Sequence, residues 1–471
     1  MVGRYKIIAE ALRVVSVLVT AVRSTDNNSE VMSDASVSRF DPAPHVASMY
    51  AAIIPRLKAH DIDQEIKECA ITAIGQLVAK CGDLLEAGQL PCVLRLLMEK
   101  LHNEITRMAT LKSFTVIALS PLNIDLSPIL SDVVHELALL LRQQSRSLKQ
   151  LTLETLTALV KANRDSFDKT QFEFVLQETA HLVNDTDLHL TQLSLQLTID
   201  VLCASPAVAS TVADTVLPAA LDLSCSPLLQ GRALSTLLGL LKDLVILDVP
   251  NASFEVLYGH LHEVILKAES TSSVDVGVSS PSSSIQKQAM TNVGHCLAAV
   301  CACTTEEKQV ATIQELLEDI KNDNELRRHL ALLAVGELGK NKDLSTIAND
   351  LQDVILQSFS HSTEDTKGAA AYALGSIAVG NMDIYLPPIL EALAAEKNHY
   401  FLLGALKEIF VLHAAKPTMV ATFRSQFLEN VLPPLFRHCQ APEEGIRNMV
   451  AECLGSLITM HPELLMQRLQ V

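Results

Sequence analysis

Two stretches of the chain are written on one frame: "DIDQEIKECAITAIGQL" at residues 61 to 77 and "HSTEDTKGAAAYALGSI" at 361 to 377. In each, a polar turn is followed by a basic anchor, Lys67 or Lys367, then Ala70 or Ala370, Gly75 or Gly375, and Leu77 or Ile377. The frame recurs on Arg328 with Ala331, Gly336 and Leu338, and on Arg447 with Val450, Gly455 and Leu457. The step from 328 to 367 is 39 residues and that from 367 to 447 is 80, about two such steps. Self-similarity at a fixed period is the mark of a stack of repeats, which grows by adding units and does not depend on one central core.

Each period holds two helical patterns. Val46, Met49, Tyr50, Ile53, Ile54 and Leu57 fall on one helical stripe, and Ile66, Ala70, Ala73, Ile74 and Leu77 on a second after the turn,. Asp61 or Asp63 is placed to cap that second helix. The pair repeats ten times, with first helices expected near 46, 87, 127, 170, 211, 252, 305, 344, 385 and 427. Second helices are expected near 63, 103, 145, 187, 228, 284, 324, 363, 399 and 443. Pro55, Pro91, Pro218, Pro387 and Pro433 sit in first helices and predict bends there,. A period near 40 with bent first helices points to HEAT repeats, an all-α, armadillo-like superhelical solenoid. Gly75, Gly375 and Gly455 lie inside second helices, where close approach of a neighbouring helix would offset the roughly 1 kcal/mol penalty of glycine. The basic anchors are expected to face carboxylates of adjacent turns as a charge ladder.

The rhythm divides the chain. Residues 1–23 read as an unpaired helix of a truncated repeat, 24–45 as a polar loop and 46–267 as about five and a half repeats. Residues 268–284 read as a serine-rich loop and 285–471 as about four and a half repeats, cut short at the C-terminus. Neither end has a polar cap, so a fragment of a longer solenoid is expected. Ser280, ahead of Pro281, is a candidate phosphorylation site,.

Composition agrees with helices packed through aliphatic side chains: 49% hydrophobic residues, 4% aromatic, no tryptophan,. A net charge of −17 argues against nucleic acid or an anionic membrane as partner and favours a basic protein surface,. No apolar run is long enough for a membrane span. The opening "MVGRYKIIAEALRVVSVLVT" is interrupted by Glu10 and Arg13 and reads as an amphipathic helix, not a leader,. Ten cysteines without a C-x-x-C pair read as reduced thiols of a protein of cytoplasm and nucleus,.

The search for chemistry is short. "GSIAVG" at 375 to 380 lacks the lysine of a phosphate loop,. "GHCLAAVCAC" clusters His295, Cys296, Cys301 and Cys303, a pattern that invites a zinc site or a Cys–His nucleophile,. On a helix 296 and 303 share a face while 301 points elsewhere, so core thiols are the better reading. Asp61/Asp63 and Glu443/Glu444 read as caps and solvated turns. The expectation is no catalytic, cofactor or metal residue, no small-molecule substrate, and no enzyme.

Several stretches go beyond generic repeat spacing: "KAHDIDQEIKECAITAIGQL" (58–77), "LHNEITRMATLKSFTVIALSPLNIDLSPIL" (101–130), "CSPLLQGRALSTLL" (225–238), "AAAYALGSIAVGNMDIYLPPIL" (369–390) and "APEEGIRNMVAECLGSL" (441–457). In wording and order the chain resembles the middle of the cullin-associated and neddylation-dissociated proteins. The resemblance implies a solenoid that wraps an unneddylated cullin and its RING subunit and promotes exchange of F-box receptor modules within cullin–RING (SCF) ubiquitin ligases. It also implies that the arms gripping the cullin's ends lie outside this chain. No contact residue follows from a short motif, so the partner-binding residues are unknown at this stage. Two other readings stand beside it: another HEAT adaptor such as an importin-like carrier or phosphatase scaffold, and a hydrolase using Cys296 and His295.

Overall fold

The computed structural model describes residues 2–22, 41–59, 63–272, 282–361, 363–395, 398–415, 425–460 and 462. The chain folds as two compact units, residues 1–220 and 221–471. Regular structure among the described residues is helical, with no strand.

The first unit contains α1 (Val2–Val22), α2 (Val46–Lys58), α3 (Gln64–Cys81), α4 (Gln89–His102), α5 (Glu104–Ala118), α6 (Ser127–Leu140), α7 (Arg146–Ala162), α8 (Lys169–Ala180), α9 (Leu188–Ala204) and α10 (Ala209–Thr215). The division falls within α11 (Leu217–Ser224). The second unit continues with α12 (Gly231–Leu247), α13 (Phe254–Ser272), α14 (Ser282–Ala302), α15 (Glu306–Lys321), α16 (Glu325–Gly339), α17 (Leu351–His361), α18 (Glu364–Gly380), α19 (Met382–Ala394), α20 (His399–Ala414), α21 (Ser425–His438) and α22 (Glu444–Met460).

Helix starts are fixed locally. Asp63 caps α3 by accepting from the Glu65 amide at 2.9 Å, Asn103 caps α5 through the Ile105 amide at 3.0 Å, and Asn324 caps α16 through the Leu326 amide at 2.9 Å,. Asp61 lies outside the described residues, as do Ser280, residue 23 of the expected first helix, residues 24–40 of the expected polar loop and 273–281 of the serine-rich one. At the margins of the latter the chain is helical where a loop was expected, because α13 runs on through Ala268 and Glu269, both good helix formers,.

The arginine anchors do something other than the expected carboxylate ladder. Arg328 donates from Nε to the Ile320 carbonyl at 3.2 Å and from Nη2 to Asn322 at 2.6 Å, both at the end of α15. Arg447 reaches the carbonyls of Ala441 and Pro442 at 2.8 and 2.7 Å. Arg107, which the frame did not single out, takes those of Leu101 and His102 at 3.1 and 3.2 Å. The anchor sits one turn into the second helix and satisfies carbonyls that the first helix and the turn after it leave open, where a cation is also favoured by the helix dipole. Lys367 meets the expected kind of partner, Glu364 of its own helix at 3.1 Å.

The first helices differ in how they take their prolines. Pro218 falls where the fifth first helix breaks into α10 and α11, since a proline nitrogen cannot donate to the carbonyl four residues back,. Pro91 lies in the first turn of α4, where no donor is needed, so no bend is called for,. Pro55, Pro387 and Pro433 are carried inside continuous helices. The helix expected near 344 begins at Leu351, because residues 340–350 form turns that bury Leu344 and Ala348.

Second helices stack on second helices: α1, α3, α5, α7 and α9 in one unit, α12, α14, α16, α18, α20 and α22 in the other. The predicted stripe Ile66, Ala70, Ala73, Ile74 and Leu77 is fully buried, with each large aliphatic contributing about 1.5–3 kcal/mol,. Close approach accounts for the helix glycines. A Cβ on Gly75 would stand 2.6 Å from Ser113 Oγ, one on Gly336 3.0 Å from Ala373 Cα, and one on Gly375 2.4 Å from the Ala405 carbonyl oxygen. Gly455 breaks the pattern, with nothing among the described residues within 4 Å of the added atom.

Candidate functional site

Along the second-helix stack of residues 221–471 runs a chain of polar side chains from separate repeats. His295 Nδ1 of α14 lies 3.1 Å from Glu337 Oε2 of α16, and Lys340, just past α16, lies 2.5 Å from Glu337 Oε1. Lys340 also donates to the Tyr372 hydroxyl of α18, sits 4.6 Å over that ring, and comes within 3.9 Å of Glu408 of α20. Lys407 of α20 then pairs with Glu452 of α22. Burial alone would raise the Glu337 carboxyl, but the hydrogen bond and charge of His295, with Lys340, hold it below the usual carboxylate range,. Burial pushes the Glu408 carboxyl up, against the pull of Lys340.

The arrangement suits positioning and recognition better than bond making. Cys296 is fully buried and burial drives its thiol pKa upward, Cys301 is pushed up to about 11 and Cys453 to about 12. Each therefore stays a neutral thiol near pH 7, the opposite of an activated nucleophile. The sequence pattern placed Cys296 and Cys303 on one face; the structure ends α14 at Ala302, so Cys303 lies beyond the helix. It is Cys301 that shares a surface with His295, lining a cavity of about 440 Å³. His295 is committed to Glu337, leaving no Cys–His pair. Among the described residues no group of three or more His, Cys, Asp or Glu is arranged to hold a metal ion.

The other motifs resolve into architecture. Gly375 to Gly380 lie on α18, and a Cβ on Gly380 would meet the Gly339 carbonyl oxygen at 2.1 Å, so both glycines serve helix contact. Glu443 precedes α22 and its carbonyl accepts from the Arg447 amide at 3.3 Å. In residues 1–220 the equivalent row includes Lys161 with Asp200 at 3.2 Å, and a second cavity of about 440 Å³ bordered by Thr72, Gln76, Lys112, Thr115 and Glu154. Sequence reading could not find these rows, because neighbours in them lie one repeat apart and are joined only by stacking. Their faint signal is a polar residue recurring amid the small residues of each second helix.

A model described as CAND1-like, TPR repeats, matches residues 3–74. The chain is 40% identical over 99% of its length to Cullin-associated NEDD8-dissociated protein 1 of Arabidopsis thaliana. Along nearly its whole length, the chain is thus similar in sequence to part of a cullin-associated NEDD8-dissociated protein. Protein 1 of Drosophila melanogaster is 36% identical over 99% of the chain, and protein 2 of Rattus norvegicus 34% over 98%. The chain spans 37% of the length of the first two and 35% of the third. Among solved structures, Kap121p superposes with a TM-score of 0.53 at 13% identity, covering 96% of this chain and 46% of that one. Kap95p bound to RanGDP gives 0.53 at 12%, covering 97% and 58%. Identity that low speaks to fold alone, a HEAT-repeat α-solenoid.

Proposed function

We propose that this chain is a non-catalytic, cullin-binding segment of a cullin–RING assembly factor. The observation that carries the reading is the identity of 40% along nearly the whole chain to a protein named for association with cullins. The polar rows of the second helices, fixed by contacts between repeats, supply side chains suited to a large protein partner,. On this reading the partner is an unneddylated cullin with its RING subunit, in cytoplasm and nucleus, and the full-length relative promotes exchange of F-box receptor modules. The karyopherin likeness adds no support for an import role, since it rests on fold,.

The test is a pull-down of the 471-residue chain with an unmodified cullin–RING complex and, in parallel, its neddylated form. Selective capture of the unmodified complex is expected. Capture of neither, by a chain shown to be helical by circular dichroism, would overturn the reading for this segment.

A further inference from the structure

Two irregularities of the repeat meet at one place. Where α14 carries the run Ala298, Ala299, Cys301 and Ala302, its side chains are too small to fill the gap opposite. Where α17 was expected to begin, residues 340–350 leave the helical path and bring Lys342 and Leu344 to the same gap. Between them lies the cavity of about 440 Å³, within the size range of pockets that enclose small ligands,. It is a partly open cleft, and a cleft of this size with a few polar groups beside an apolar lining has the form of a ligand pocket,.

Its lining has a definite chemistry. One wall is apolar, with Leu238, Ile313 and Leu344 beside the small residues of α14. The same lining carries two lysines, Lys242 and Lys342. Lys342 Nζ is fixed by Gln309 Oε1 at 2.8 Å, and Gln309 is itself held by the carbonyls of Thr304 at 2.9 Å and Ala302 at 3.3 Å. The one carboxylate in the lining, Glu337, is already engaged by His295 and Lys340. The local balance is therefore positive within a chain of net charge −17.

We propose that this cavity is a binding site for a small organic anion with an apolar body, its charged group between Lys242 and Lys342 and its body against Leu238 and Ile313. Such a ligand would bridge α12, α14 and α15 and the turn after α16, bracing the stack independently of any cullin contact.

The probe is octanoate, titrated calorimetrically into the full 471-residue chain beside octanol and acetate, which carry the body and the charge separately. Saturable one-to-one binding is expected, with Kd on the order of 1 mM or tighter, and with octanol and acetate each at least about tenfold weaker. The double variant K242M/K342M should weaken octanoate about tenfold or more while K308M leaves it unchanged. Should the double variant fail to keep its helical circular dichroism, A299L, which fills the cavity, is expected to abolish binding. No saturable binding, equal binding of octanol, or wild-type affinity in the variants would overturn the proposal.

Discussion

Where α5 meets α3, Ser113 of α5 donates its hydroxyl across the seam to the Ile71 carbonyl at 3.0 Å; where α18 meets α16, Gly336 lets an Ala373 Cα come where its own Cβ would have been. The contrast holds along each stack. In residues 1–220 the second helices bury Thr110, Ser113, Thr152, Thr155, Ser194 and Thr198. In residues 221–471 the corresponding seams are lined by Ala331, Ala334, Gly336, Ala370, Ala373 and Gly375. Hydroxyls tie the helices by directed bonds, as Thr115 and Thr155 do across α5 and α7 at 2.9 Å. Glycine and alanine instead bring backbones together and gain from contact. The same repeat spacing is thus held by two chemistries of different tolerance.

The largest effect should come from violating the close seam. Gly375→Leu places a branched side chain where a Cβ alone would meet the Ala405 carbonyl oxygen at 2.4 Å, and should destabilise residues 221–471 by about 3 kcal/mol or more, read from urea unfolding,. The hydroxyl seam should be milder. Ser113→Ala removes the bond to Ile71 and should lower stability by about 1 kcal/mol in the same assay,. A loss as large as that of Gly375→Leu would erase the distinction between the seams.

Gly455 supplies the opposite sign. With nothing among the described residues within 4 Å of an added Cβ, Gly455→Ala should stabilise by about 0.5–1 kcal/mol, visible as a raised melting temperature,. Smallest is an electrostatic effect in the hydroxyl unit. The Arg142 guanidinium, bonded to Glu178 from Nε at 2.7 Å, holds that carboxyl below its ordinary value in spite of burial. A carboxyl depressed by folding stabilises above the ordinary carboxylate range and loses that contribution as pH falls through its folded pKa. Arg142→Met should therefore lower the urea midpoint at pH 7 and flatten its decline between about pH 5 and pH 3.

Much of this fold was legible in advance because its signals are short in range. The stripes of α2 and α3, the Asp63 cap and the frame on Lys67, Arg328, Lys367 and Arg447 all lie within a few turns of chain. The start of α16 was expected near 324 and found at Glu325, that of α18 near 363 and found at Glu364. What the chain hides is whatever depends on the neighbouring repeat or on the path of a turn. The anchors looked like members of a charge ladder because carbonyls carry no sequence letter; Gly455 looked like Gly75 because an empty neighbourhood cannot be read from one helix. His295 and Cys301 were flagged within one cluster with Cys296 and Cys303, yet their meaning lay in Glu337, Lys342 and Gln309, residues that only stacking and the turn after α16 bring near.

The anchor arginines carry one more consequence. Because Arg107 or Arg328 closes the first helix of its own repeat, while Asn103 or Asn324 opens the second, both exposed backbone ends at that corner are settled within a span of a few residues. A module that settles its own ends can be copied, lost or lengthened by whole periods without leaving a raw helix terminus behind. Such a corner makes duplication a tolerable accident, and gives a lineage of these chains a way to change its reach without redesigning its joints.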